Sequence, residues 1–271
     1  MTDQSPASLL AIAVAAARDA ASVIRDAAPR RGTIVWQEKS ATDFVSEVDL
    51  AAEKRIFETV RASYPDARFL AEETASQIAP DEQTSGLVFV ADPLDGTTNF
   101  LHGYPAYAVS IGVLRDGILV AGVVIDIPGG EEFTATLGGG TRLNGEPCQV
   151  SAISNPQRAL IGTGFPFKVH ADIAPYQAQM SRVMAGVSGV RRPGAASIDL
   201  ASVACGRFDA FWENILSPWD IAAGILLVRE AGGIATNLQG EPCPVAHTGV
   251  IAGNAAMHGW LTATIAAEYP Q

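Results

Sequence analysis

Apolar residues recur at helical spacing from Leu9 to Val23, directly after Ser5 and Pro6, an N-cap residue and a first-turn proline. The pattern predicts an Ala-rich amphipathic helix packed on the body of the protein. No basic segment precedes it, and Arg18, Asp19, Arg25 and Asp26 interrupt it, which argues against a signal peptide or a membrane span. Pro29 to Trp36 reads as a helix exit and strand, followed by a polar stretch to Thr42. A second helical period runs from Val48 to Ser63 and stops before Pro65. Phe69 and Leu70 begin a short strand closed by Glu72 and Glu73, and Asp81 to Gly86 is a turn-like break. Leu87 to Ala91 is the unbroken apolar run of a strand buried on both faces, with Pro93 ending its ladder.

Tyr107 to Leu114 and Ile118 to Ile125 flank Asp116-Gly117, a hairpin dipeptide that accepts positive φ. Strand-like segments surround Gly138 to Gly140 and Asn144-Gly145, which predicts an antiparallel or mixed sheet. From Ser151 short strands alternate with helices. The helices are expected at Asp172 to Ala185, Ser197 to Cys205, Pro218 to Ala231 and Asn254 to Ala267. The strands are expected near Leu160, Phe208 to Trp212, Ile234 and Val250 to Ala252. The whole reads as a layered α+β architecture without internal repeats. Residues 1–150 form a lobe carrying most of the acidic candidates, and residues 151–271 form a second α/β lobe.

Composition changes little in this picture but excludes some functions. With 48% hydrophobic and 17% charged residues the chain is an ordinary globular protein. A net charge of -11 argues against coating a nucleic acid, which takes clustered Lys and Arg. Such a protein can still take an anionic substrate when metal ions supply the positive charge. Cys148, Cys205 and Cys243 are odd in number and far apart, which fits a reducing cytoplasm better than a disulfide framework or a zinc site.

The chemistry lies in acidic residues at strand ends. Asp92-Pro93-Leu94-Asp95-Gly96-Thr97-Thr98-Asn99-Phe100 follows the buried strand, and Glu72-Glu73 closes another. Asp49 lies in Asp43-Phe44-Val45-Ser46-Glu47-Val48-Asp49, and Trp219-Asp220 leads a helix ending in Ala231-Gly232-Gly233. Carboxylates forced together repel unless a cation sits between them, and all-oxygen ligands select a hard ion such as magnesium. Gly96 permits close backbone approach to a phosphate, with a helix starting near Thr97.

The run from Asp92 to Phe100 resembles the first signature of the inositol monophosphatases, and Trp219 to Gly233 resembles the second. The order Lys39, Asp49, Glu72-Glu73, Asp92 to Thr97, Asp220 resembles the family's over most of the chain. The resemblance implies an α/β/α/β/α sandwich of the inositol monophosphatase and sugar phosphatase type. It implies that Glu72, Asp92 and the Leu94 carbonyl hold one magnesium, and that Asp92, Asp95 and Asp220 hold a second. Glu72 would also help place a weaker third near the loop carrying Lys39, with Glu73 tuning its neighbour. Asp49 and Thr97 would position and deprotonate the attacking water, and Gly96 and Thr97 would cradle phosphate. Gly194, Ala195 and Glu213, the last following the strand Phe208 to Trp212, would face the alcohol. A homodimer and inhibition by lithium are implied as well. Two metal ions roughly 3.5–4 Å apart can activate water and clamp both oxygens of an in-line displacement.

The implied reaction is hydrolysis of a small sugar or polyol phosphate, inositol 1-phosphate first, without a phosphoenzyme. Related enzymes of the superfamily act on fructose 1,6-bisphosphate, histidinol phosphate or adenosine 3′,5′-bisphosphate. Thr98-Asn99-Phe100 looks more like the inositol branch, because the nucleotide branch usually has Lys-Glu-Phe there. Ala71, where Gly is usual, and Ala195, which lacks a common hydroxyl, bear on the identity of the alcohol. A second class of reading is a noncatalytic regulator of this fold that binds RNA or a transcription partner. Asp199 and the four histidines read as structural, and Arg191 and Arg192 as solvated or at a subunit contact.

Overall fold

The computed structural model describes residues 3–40, 43–74, 85–166 and 173–266. Helix α1 (Pro6–Ala27) starts as Ser5 and Pro6 predict, with the Ser5 hydroxyl accepting the Ser8 N–H at 3.3 Å. It continues into a 3-10 turn (Ala28–Thr33), so Pro29 tightens the helix exit and strand β1 (Trp36–Ser40) begins only at Trp36. An unanticipated strand, β2 (Asp43–Ser46), pairs antiparallel with β1 and feeds α2 (Glu47–Ser63).

Next come β3 (Arg68–Ala71), β4 (Leu87–Asp95), the short helix α3 (Thr97–His102), β5 (Ala108–Arg115) and β6 (Ile118–Asp126). Strands β7 (Glu131–Thr136), β8 (Gly140–Leu143) and β9 (Glu146–Cys148) complete a sheet of seven strands lying side by side in chain order. Only β3 and β4 run parallel, so the sheet is mixed. Asp116 (φ 50°) and Gly117 (φ 79°) take the left-handed conformation that the β5–β6 hairpin demands.

The remaining chain forms β10 (Leu160–Thr163), α4 (Ile173–Met184), β11 (Gly189–Arg191), α5 (Ala196–Ala204), β12 (Ala210–Leu216) and α6 (Pro218–Glu230). It ends with β13 (Ile234–Thr236), β14 (Thr248–Gly253) and α7 (Ala255–Ala266). The second sheet has five strands in the order β11-β10-β12-β14-β13. Asp172 and Ala267, expected helix ends, and most of the Asp81 to Gly86 break lie outside the described residues.

Two expectations are corrected. Pro93 does not end β4: the pairing skips from Asp92↔Ser110 to Asp95↔Ala108, and this irregularity absorbs the residue that cannot donate. Glu213 does not follow its strand but lies inside β12, opposite Val250.

Alternation along the strands sets the layers. Phe69, Phe89, Val109 and Ile111 pack with Leu9, Ile24 and Ile56 of α1 and α2. Leu70, Val88, Val90 and Leu114 point the other way, into a core with Leu200 and Ile225 of α5 and α6 and with Phe211 and Val250 of the second sheet. Ile161, Trp212 and Ile251 face Tyr176, Val183, Met257 and Leu261 of α4 and α7. The result is the α/β/α/β/α sandwich. Helix α1 and its 3-10 extension are long and apolar enough to cross a membrane by composition, yet Leu9, Ala13, Ala17 and Ile24 are fully covered by the protein.

Helix α6 lies directly on the sheet backbone. A Cβ at Gly112 would stand 2.6 Å from Ala222 Cβ and 3.0 Å from the Ala223 nitrogen. Gly112→Ala is therefore expected to push α6 outward and cost about 1–3 kcal/mol by overpacking. Chemical denaturation of the variant, with the slope compared against wild type, checks this.

Candidate active site

Parallel pairing of β3 with β4 brings two acidic strand ends together. Ala71 pairs with Ala91, and the Glu72 N–H donates to Ala91 O at 3.2 Å, so Glu72 sits beside Asp92. The adjoining turn is held by Glu53 of α2, which accepts the Glu73 N–H at 2.9 Å. Asp95 closes β4, and Gly96, with φ 87°, turns the chain into α3. A Cβ at Gly96 would lie 2.7 Å from Ala106 O, so the position excludes side chains by both conformation and space.

Asp49 is the third residue of α2 and forms a capping box with Ser46. Its Oδ2 accepts the Ser46 N–H at 2.9 Å and the Ser46 hydroxyl at 2.6 Å. The Thr97 hydroxyl lies 2.8 Å from Asp49 Oδ1 and 3.0 Å from Leu94 O, and its single proton can serve only one of these acceptors at a time. Burial raises the Asp49 carboxyl above its ordinary pKa, against the lowering effect of the Ser46 and Thr97 hydrogen bonds.

Asp220 stands at the matching place in α6, accepting the Ser217 N–H at 2.7 Å. Asp92 accepts the Leu94 N–H at 2.9 Å. Burial, and then the charges of Glu72, Asp95 and Asp220, push Asp92 well above the usual carboxylate range. Burial likewise lifts Asp95 to about 6, opposed by the Ser197 hydroxyl and N–H and assisted by the Glu72 charge. Four carboxylates, from the turn after β3, from β4 and from α6, thus share one electrostatic field. Among the described residues they are not drawn into a ligand cage of three or more. The donors are all oxygen and their charges destabilise one another, which suits a hard divalent cation.

The raised carboxyls carry a stability consequence. Between about 3.8 and about 6 the unfolded chain has released the Asp95 proton while the folded chain still holds it, so the folded state binds more protons. This group's contribution to metal-free stability therefore falls as pH rises through that window, and the raised Asp92 carboxyl acts with the same sign. A divalent cation competes with those protons, so its stabilising effect is expected to grow from pH 5 to pH 8. Thermal melts in chelator and in magnesium across that range check the sign.

Loops from the second sheet face this cluster. Asn99 Nδ2 donates to Ala106 O at 2.7 Å, Pro193 O at 3.0 Å and Gly194 O at 3.2 Å, tying α3 to the 193–194 turn. Ala195 Cβ lies 3.4 Å from the Cβ direction of Gly96. The Glu213 carboxyl rests on Gly164, where any side chain would overlap it. Arg192 stacks over Phe165, 5.1 Å from the ring centroid. Asp199 is buried, and desolvation followed by the Glu213 and Asp95 charges raises its pKa strongly. The Lys39 side chain lies outside the described residues, as does His170. His102 packs on Trp36, and His258 bonds Thr236. Ser46, Ser217, Ser197 and Glu53 were not singled out from the sequence. The repeated Ser-x-x-Asp of Ser46 to Asp49 and Ser217 to Asp220 was the available signal for the first two.

The model of the inositol monophosphatase family matches residues 5–269. The chain belongs to this family. Among its relatives, a protein named Nus factor SuhB from Pseudomonas aeruginosa is 44% identical over 264 residues, 97% of both chains. An inositol-1-monophosphatase of Rhizobium meliloti is 43% identical over 216 residues, 80% of each. The crystal structure of the extragenic suppressor protein suhB from Bartonella henselae superposes with a TM-score of 0.91 at 38% identity, covering 97% of this chain and all of that one. The inositol monophosphatase fold thus accounts for the whole described sandwich, and relatives of similar identity carry both enzymatic and regulatory names.

Proposed function

We propose that the protein is a magnesium-dependent phosphomonoesterase of small phosphorylated polyols, with inositol 1-phosphate the leading substrate. The observation that carries this reading is the Thr97 hydroxyl set 2.8 Å from Asp49 Oδ1 at the rim of the carboxylate cluster. Glu72, Asp92, the Leu94 carbonyl, Asp95 and Asp220 would hold two magnesium ions, with Glu72 also serving a weaker third near Lys39 and Glu73. When bound, magnesium neutralises phosphate charge and acidifies water.

The chain's own groups do the rest. Ser46 occupies Asp49 Oδ2, so Oδ1 alone is left to draw on the Thr97 proton, and Thr97 in turn accepts the proton of the attacking water. Gly96 and Thr97 N–H groups cradle the phosphate. Gly194, Ala195 and Glu213 face the alcohol and orient it. A cytoplasmic homodimer completes this reading.

Phosphate release from inositol 1-phosphate, fructose 1,6-bisphosphate, histidinol phosphate and adenosine 3′,5′-bisphosphate, with and without magnesium, tests it. Magnesium-dependent release is expected, and the preferred compound names the alcohol. A folded, magnesium-binding protein that releases nothing from any of them would overturn the reading.

The name Nus factor on a relative 44% identical favours a second reading, a regulatory role through RNA or a protein partner. The net charge of -11 weighs against direct RNA binding. Electrophoretic retention of RNA at physiological salt without magnesium distinguishes the two.

A further inference from the structure

Helix α5 begins without a capping side chain of its own. Its N-cap is Ala195, which offers no acceptor to the first-turn N–H groups. A residue from the other sheet fills that place. Asp95 at the end of β4 accepts the Ser197 N–H at 2.8 Å and the Ser197 hydroxyl at 2.5 Å, both on Oδ2. Ser197 is fully buried, so its hydroxyl has no water to turn to.

Two Ser197 donors on one oxygen hold the Asp95 carboxylate in a single orientation. They occupy Oδ2, the oxygen turned toward α5, on a carboxyl that also feels the charge of Glu72. We propose that Ser197 is a positioning residue for cation binding, fixing the Asp95 carboxylate so that Oδ1 is presented to the metal. The assignment rests on the metallophosphatase reading above. Asp95 bridges two tasks, capping a helix of the second half and ligating in the first, and Ser197 is the group that lets both proceed together. An alanine there would keep the backbone N–H but release the carboxylate to swing about it.

Outer-shell partners of ligating carboxylates typically contribute 10–100-fold in metal affinity. Calorimetric titration of magnesium into chelator-treated protein is the primary test, on wild type, Ser197→Ala and Ser197→Cys. Ser197→Ala is expected to weaken binding roughly 10-fold or more. Ser197→Cys, similar in volume with a weak S–H donor, is expected to fall between. The magnesium concentration for half-maximal phosphate release should rise in the same order, while kcat at saturating magnesium stays near wild type. A purely structural serine would instead lower the metal-free melting temperature and leave magnesium affinity alone. Equal magnesium affinity in wild type and both folded variants overturns the assignment while leaving the phosphatase reading intact. Absence of magnesium binding by wild type overturns that reading and this inference with it.

Discussion

Asp95→Asn is expected to lower magnesium-dependent phosphate release by roughly 10²–10³-fold, the usual loss when one preorganised electrostatic group is removed. The substitution keeps the shape of the side chain, and its amide oxygen can still accept from Ser197 and cap α5. What it removes is a charge from a buried, mutually repelling group. The metal-free protein should therefore melt no lower than wild type, and the shift that magnesium produces should shrink. Activity assays paired with melts with and without magnesium separate this from misfolding. A variant that melts early in chelator would identify a structural role for the carboxylate, and one that keeps full activity would remove Asp95 from the proposed ligand set.

Thr97→Ala is expected to reduce kcat by about 10²-fold or more, the lower end of what a positioned acid–base relay contributes. The hydroxyl touches Asp49 Oδ1 and Leu94 O, and neither contact survives truncation. Asp49 would keep both Ser46 bonds, so α2 should stay capped. The loss should fall on kcat, with little change in KM. Thr97→Ser retains the hydroxyl and should recover most of the rate. An equal loss in both variants would point to the methyl group's packing in place of the proton path.

Much of this arrangement was legible because local rules and long-range packing agree. Ser5-Pro6 opens α1 and Asp116-Gly117 turns the central hairpin, as short-range chemistry dictates. The acidic strand ends were legible as residues, and the pairing of Ala71 with Ala91 supplies the reason two of them meet. Other features had no local signature. β11 is three residues on a sheet edge, half-buried, with no alternation to detect. Pro93 obeys its own rule, but the ladder resumes beyond it because Asp95 finds Ala108. Ser197 looked like one more residue of a buried helix, since its partner lies 102 positions away. No period or dipeptide reports an acceptor supplied by another element.

The order in which the layers are made has a consequence for synthesis. The seven-stranded sheet is complete at Cys148, and α1 and α2 are already available to cover one of its faces. The other face, with Leu70, Val88, Val90, Leu114 and Phe133, is covered by α5 and α6, which end only at Glu230. At roughly 5–20 residues per second, translation leaves that apolar face bare for several seconds on the ribosome. An apolar face bare for that long is open to contact with neighbouring chains, and slowing the ribosome between Cys148 and Glu230 is expected to lengthen the exposure.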